Sequence, residues 1–209
     1  GTCTVSRSYT SGAVSGTTGY IGGVTGQHWR AGVVEDCYNA GTVSGPATVG
    51  GVVGGHNAAS PEVKSCYNAG AVVDTAGNSN NIDAIVGASR GTNTDCYYIS
   101  GTGTSSKSGV TEADTLTVAE LGSAFKADAD GLNGGLPVLT WQERKPDLII
   151  GSYEAFKAFS DSVNDGNSYE GKLVRLACNV FLGGNSAPWS PIGSSSASFK
   201  GVFDGGYHV

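Results

Sequence analysis

Cys37-Tyr38-Asn39-Ala40-Gly41 is followed, 29 residues on, by Cys66-Tyr67-Asn68-Ala69-Gly70. Looser copies flank this pair: Ser8-Tyr9-Thr10-Ser11-Gly12 before it, and Cys96-Tyr97-Tyr98-Ile99-Ser100-Gly101 after it. The tyrosines Tyr9, Tyr38, Tyr67 and Tyr97 are thus 29, 29 and 30 residues apart. A fixed period in this range marks a stacked repeat, in which each unit buries its apolar face against its neighbours.

Each unit carries three short apolar pieces. One precedes the tyrosine: Val5-Ser6-Arg7, Val33-Val34-Glu35, Val63-Lys64-Ser65. One follows the glycine: Ala13-Val14-Ser15, Thr42-Val43-Ser44, Ala71-Val72-Val73. The third is Gly22-Gly23-Val24-Thr25-Gly26, Gly50-Gly51-Val52-Val53-Gly54 and Ala84-Ile85-Val86-Gly87. Short β-branched pieces between Gly, Asn and Ser read as strands with tight turns. Three strands per unit fit one rung of a triangular coil. The fold expected is therefore all-β, a parallel β-solenoid (β-helix) of about 29-residue rungs with small helical caps, burying an inward Val/Ile/Tyr stripe.

Stacking makes equivalent positions neighbours. Arg7 then lies against Asp36, and Glu35 against Lys64, which are favourable opposite-charge pairs on adjacent rungs. Asn39 above Asn68 makes a short amide ladder. Cys37, Cys66 and Cys96 share one position, filled by Ser8 in the first copy. They read as a ladder of small buried side chains, with no bridge between rungs predicted and no CxxC metal spacing.

Composition agrees with this reading. The chain has 209 residues with 34 Gly, 9 Tyr, 14% charged residues and no Met. Glycine this abundant without a collagen-like period means many turns, and the regular Val/Ile placement argues against disorder. The lack of Met implies a fragment or processed piece of something larger. A net charge of −6 with scattered Lys and Arg argues against nucleic-acid and anionic-membrane partners. No stretch reaches the roughly 20 apolar residues of a membrane span. The composition resembles that of secreted bacterial proteins.

Residues 1–103 hold the repeats. Residues 104–146 break the period: Leu116, Val118, Leu121 and Phe125 suggest a helix, and the Gly131–Gln142 run a turn and last strand, together a cap closing the solenoid end. Residues 147–209 begin again. A helix from about Ser152 to Val163 is expected, with Ser152 as N-cap and Tyr153, Phe156, Phe159 and Val163 on one face. Strands follow at residues 172–177 and 199–203. This last segment reads as helix-capped opening rungs of a second solenoid segment, or as the missing first rungs of the same one.

Little in the chain suggests chemistry. His28 and His56 stand at one repeat position. With Ser89 at the third place they fall short of a zinc ligand set and read as a solvated turn ladder. Asp128 to Asn133 has the look of a calcium loop. However, the EF-hand register would put Lys126 and Pro137 where carboxylates are needed, so it reads as a turn after a helix. Acids and bases do not cluster on one face of successive rungs as a glycosidase needs, Thr10, Thr25 and Thr42 do not align as an ice-binding array, and no Gly-x-Ser-x-Gly sits in a strand–turn–helix context. No catalytic residue, cofactor or metal site is assigned. The better lead is four aromatics read as turn residues, Tyr20, Trp29, Tyr98 and Trp189, which suit stacking on sugars or packing on a protein partner.

The Gly-Gly-Val-Val-Gly and Gly-Gly-Val-Thr-Gly pieces, taken with the Cys-Tyr-Asn-Ala-Gly units, resemble GLUG repeats of bacterial surface proteins. Such repeats also occur beside the catalytic domains of IgA1-specific metallopeptidases. Trp189-Ser190-Pro191-Ile192-Gly193 and Phe199 to Val209 resemble the rungs that open such arrays. The resemblance covers most of residues 5–101 and 147–209. It implies a non-catalytic extracellular module at the bacterial cell surface, acting as adhesin, stalk or spacer, with a host or cell-surface glycan or protein as partner. It carries over no catalytic residue, and the HExxH motif of the metallopeptidases is absent. In this chain the opening rungs come last, which points to a head-to-tail filament subunit as one alternative; a carbohydrate-active β-helix enzyme is another.

Overall fold

The computed structural model of the chain describes residues 3–28, 31–56, 61–77, 81–182, 190–205 and 208. The chain divides into two compact units, Gly1–Gln142 and Glu143–Val209.

In the first unit the chain winds in turns of five short strands. The first turn is β1 (Cys3–Ser6), β2 (Tyr9–Thr10), β3 (Val14–Ser15), β4 (Tyr20–Gly22) and β5 (Thr25–His28). The second is β6 (Gly32–Glu35), β7 (Tyr38–Asn39), β8 (Val43–Gly45), β9 (Thr48–Gly50) and β10 (Val53–His56). The third is β11 (Glu62–Lys64), β12 (Tyr67–Asn68), β13 (Val72–Asp74), β14 (Asn81–Asp83) and β15 (Val86–Ala88). A fourth opens with β16 (Thr92–Thr94) and β17 (Cys96–Ile99), and β18 (Val110–Ala113) pairs over β17. Each strand pairs in parallel with its equivalent one turn away, so five parallel sheets run along the stack. Tyr9, Tyr38, Tyr67 and Tyr97 lie in one register, as do Ser6, Glu35, Lys64 and Thr94. The unit is a parallel β-solenoid.

The turn has five strands rather than three because two kinds of corner are hard to see in the sequence. Each Gly-Gly-Val piece breaks at a bend, over 23–24 and 51–52, and at 84–85 in the looser copy. The second corner is the residue two places before each tyrosine. Arg7, Asp36, Ser65 and Asp95 all sit at positive φ, between 47° and 52°. A non-glycine residue rarely adopts this left-handed backbone. Here it recurs in every turn and separates the first strand from the tyrosine strand.

Alternation along the strands then decides what faces inward. Cys37, Cys66 and Cys96 join Val34, Val52, Val53, Val63, Ile85 and Val86 in the lumen. Tyr38 and Tyr67 belong to a separate cluster with Leu116, Leu121, Phe125 and Leu139. The expectation of an inward tyrosine stripe is therefore corrected. The repeat tyrosines point away from the lumen into a second, lateral core.

That lateral core explains the segment expected to cap the end. The end itself is covered by an extended run, where Thr102 and Thr104 accept backbone hydrogen bonds from Val72 (2.7 Å) and Ala84 (2.9 Å) of the third turn. The apolar stretch beyond it forms only one helical turn, α1 (Val118–Leu121), because Gly122 follows at φ 89°. Phe125 then begins β19 (Phe125–Lys126), antiparallel to β20 (Val138–Leu139). This segment is a strap laid along the tyrosine row.

In the second unit β21 (Leu148–Ile150), β22 (Leu173–Leu176) and β23 (Val202–Asp204) form a three-stranded parallel sheet. Between the first two strands runs α2 (Tyr153–Asn164), where Ser152 caps the helix by accepting the Ala155 N–H at 3.1 Å. Phe156, Phe159 and Val163 are buried against Ile150, Val174 and Leu176. The partners Leu173↔Val202, Val174↔Phe203 and Arg175↔Asp204 are each 29 residues apart. The second unit therefore keeps the repeat length of the first.

Candidate functional site

The motif glycines make the close stacking at the center of the repeat. A Cβ on Gly41 would lie 1.9 Å from the Gly12 carbonyl oxygen, and one on Gly70 would lie 1.9 Å from that of Gly41. Only glycine lets successive turns approach this closely. The approach brings the two motif asparagines together in the lumen, both fully buried. The Asn39 Nδ2–H donates to Asn68 Oδ1 at 2.8 Å, as the amide ladder predicts. Each amide also binds its own turn. Asn39 donates to the Gly41 carbonyl (2.6 Å) and accepts the Gly41 N–H (3.1 Å). Asn68 does the same with Gly70, at 2.7 and 3.3 Å.

The cysteine ladder is likewise present, and all five cysteines are free. Cys37, Cys66 and Cys96 are fully buried, and their thiols donate to backbone carbonyls such as Glu35 O and Lys64 O, both at 3.1 Å. Burial pushes the Cys66 thiol well up and the Cys96 thiol up to about 12. Neither is a nucleophile at neutral pH.

Outside the lumen, the rings of Tyr9, Tyr38 and Tyr67 stack with centroids 5.2 and 4.9 Å apart. Phe125 of the strap packs on Tyr38 and Tyr67. The strap also takes up the hydroxyls. Tyr38 OH donates to Gln142 Oε1 at 3.0 Å, while Tyr67 OH donates to the Pro137 carbonyl and accepts Asn133 Nδ2–H at 2.6 Å. Burial raises both phenols, Tyr38 to about 12. At the first turn Trp141 packs on Tyr9 and donates its indole N–H to the Arg7 carbonyl at 3.1 Å.

Of the charge pairs expected between turns, Glu35–Lys64 forms at 2.9 Å. Arg7 lowers the Asp36 pKa by its charge, but this is outweighed by burial and Glu35, which leave the carboxyl raised. No ion pair joins Arg7 to Asp36 among the described residues. Near the covered end Asp83 is almost fully buried. Its Oδ1 accepts the Ile85 and Val86 N–H groups at 2.9 and 3.0 Å, and Lys107 Nζ donates to its Oδ2 at 2.7 Å. The Asp128 carboxylate accepts backbone N–H groups from Leu132, Asn133 and Gly135 at 2.7–3.0 Å. These bonds hold its pKa down against burial. They aim both oxygens at amides, in keeping with a turn.

The predicted aromatics fare differently. Tyr20 is 40% exposed on β4. Tyr98 is not in a turn: it is 5% exposed on β17, packed in the lumen, with its hydroxyl donating to Glu112 Oε2 at 3.1 Å. It occupies the register of Asn68, where the fourth turn replaces the small amide with a ring that fills the lumen. Trp29 and Trp189 lie outside the described residues. Four exposed rings among the described residues, Tyr9, Trp141, Phe181 and Phe203, do not figure among the predicted four. In the second unit a surface groove of about 870 Å³ is lined by Glu143, Ile149, Arg175, Asp204 and His208. In it Arg175 Nε donates to Asp204 Oδ2 at 2.6 Å.

The histidines overturn their reading. His28 and His56 are not solvated turn residues. They are 3% and 1% exposed, in register on β5 and β10, with ring centroids 6.1 Å apart. Both rings are buried at the ends of their strands, which the shared repeat position pairs and a turn assignment leaves in solvent. Burial, then the neighbouring His28, then Lys107 lower the His56 pKa to about 4.

These features define a β-solenoid repeat protein. The chain matches no protein-family model, no curated protein and no solved structure. Among the described residues no helix is long and apolar enough to cross a membrane, and no group of three or more His, Cys, Asp or Glu side chains could hold a metal ion.

Proposed function

We propose that this chain is a non-catalytic extracellular module of a bacterial surface protein, a stalk or spacer of the GLUG-repeat kind that also carries adhesive contacts. The observation that carries the reading is where the repeated polar side chains go. Asn39 and Asn68 bind each other and their own turns, Tyr38 and Tyr67 bind the strap, and Glu35 binds Lys64. The repeat thus maintains the stack, which suits a protein whose task is to extend and to present surface. Exposed rings at Tyr9, Tyr20 and Trp141 suit stacking on a glycan or on a protein partner.

The test is a panel of cell-surface glycans and proteins, followed by incubation with polysaccharides. Binding without turnover marks an adhesin, and silence on the panel marks a plain stalk. Turnover of any polysaccharide favours the carbohydrate-active enzyme and overturns the proposal. One observation favours a second reading, a head-to-tail filament subunit. The piece Gly201-Val202-Phe203-Asp204 repeats the pattern Gly32-Val33-Val34-Glu35, and β23 keeps the 29-residue register. A mass in solution that rises with concentration supports the filament, and a concentration-independent monomer removes it.

A further inference from the structure

We propose that His28 and His56 together bind one soft monovalent cation, of the copper(I) or silver(I) class, inside the first two turns of the solenoid. The starting point is an unmet demand. Among the described residues, His28 Nδ1 and both ring nitrogens of His56 are buried without a hydrogen-bond partner. Buried polar atoms in native proteins are almost always partnered, and one ion between the rings would take His28 Nδ1 and one nitrogen of His56, two of these three atoms.

The remaining nitrogen sets the tautomer. His28 Nε2 lies 3.3 Å from the Cys3 carbonyl oxygen. A carbonyl only accepts, so Nε2 carries the proton and Nδ1 is left with a free lone pair. A hydrogen bond on the far nitrogen is the usual way a histidine ligand is oriented. His56, neither of whose ring nitrogens is partnered among the described residues, offers a second lone pair.

The separation fits one ion between the rings. A ring centre lies about 1.2 Å from its nitrogens and a metal–imidazole bond is about 2.0 Å, so a straight nitrogen–metal–nitrogen line puts the centres about 6.4 Å apart and a bent one brings them closer. The observed 6.1 Å falls in that range.

The ligand set chooses the ion. Zinc takes four ligands and brings two charges. Here there are two neutral imidazoles, and no third His, Cys, Asp or Glu completes a group among the described residues. Lys107, whose charge reaches His56, is tied to Asp83 at 2.7 Å. A monovalent d10 ion is content with two nitrogen ligands in a line and brings a single charge into this buried site. Imidazole is an accepted ligand for copper.

The test uses the whole chain, labelled with nitrogen-15, with silver(I) as an air-stable probe. Thiols compete for silver, so the exposed Cys3 and the part-exposed Cys178 are replaced by serine and the histidine side-chain nitrogens are observed directly. The expected result is that one nitrogen signal from each of His28 and His56 shifts, together, and saturates at one equivalent. The His56→Val variant, checked for fold by circular dichroism, abolishes the shift at His28. Histidine signals that stay put while silver goes to the remaining thiols overturn the proposal. So does a His28 shift that survives in His56→Val, or a pair that responds to zinc(II) and not to silver(I).

Discussion

Replacing Asn39 and Asn68 by alanine, singly and together, tests whether the lumen ladder holds the turns to one another. Asn68 makes two hydrogen bonds to Gly70, one to Asn39 and a long one of 3.5 Å to Thr102 Oγ1 that contributes little. Asn39 makes two to Gly41 and shares the same third bond. At about 1 kcal/mol for each buried hydrogen bond, each single substitution costs about 3 kcal/mol. Independent sites would give about 6 kcal/mol for the double variant. The shared bond is counted once in the pair, so the double variant should cost about 5 kcal/mol, a coupling of about 1 kcal/mol. Urea unfolding followed through the NMR signals of Tyr38 and Tyr67 reads this within the first unit. A double variant costing the full sum of the singles would show that the amides serve only their own turns, and the ladder argument would fail.

Lys107→Met removes the cation from a buried carboxylate and should cost about 3 kcal/mol, since Asp83 keeps its two backbone amides but loses its counter-charge; Lys107→Arg should recover most of the loss in the same urea titration. His56 has a folded-state pKa of about 4, below the ordinary 6.5, so its contribution is complete above pH 6.5 and is lost as pH falls from 6.5 through 4. The loss is on the order of 3 kcal/mol, and thermal midpoints of His56→Val measured over that window should show a flatter profile. Ser65→Gly should stabilise by about 0.5 kcal/mol, because relief of a left-handed penalty of about 1 kcal/mol is offset in part by the freer unfolded chain; a lowered melting temperature would contradict this. Under iodoacetamide Cys3 and Cys178 should react in the native protein and Cys37, Cys66 and Cys96 only after unfolding, with mass spectrometry of the alkylated peptides as the measurement.

The period and its register were legible because a parallel stack places like residues on like, so the spacing of four tyrosines already aligns the turns. The Asn39–Asn68 and Glu35–Lys64 contacts follow from that alignment alone. The side each residue faces was less legible. Tyr38 and Tyr67 carry bulk that a sequence reading places in the lumen, yet the strand alternates Cys in, Tyr out, Asn in, and the small side chains fit the narrow interior. Tyr98 escaped for the opposite reason: in the fourth turn a ring takes the asparagine position. The short helix and last strand of the strap are legible, but Leu116, Leu121 and Phe125 break the period and so read as a cap on the solenoid end. In fact Gly122 stops the helix and the apolar residues serve the tyrosine row. His28 and His56 were read as turn residues because glycines surround them, although strands β5 and β10 run through both.

The strap has a consequence for how the first unit comes apart. A bare solenoid is held by contacts between successive turns, so it can fray from an end one turn at a time, like a nearest-neighbour chain. The strap breaks that rule. Trp141 reaches back 134 residues to Arg7, Gln142 reaches 104 residues to Tyr38, and Asn133 reaches 66 residues to Tyr67. One segment thus holds three turns at once, and peeling any of them strips partners from the same brace. Melting of this unit should therefore be cooperative across those turns. Folding carries the matching penalty, because contacts this distant in sequence close late and slowly.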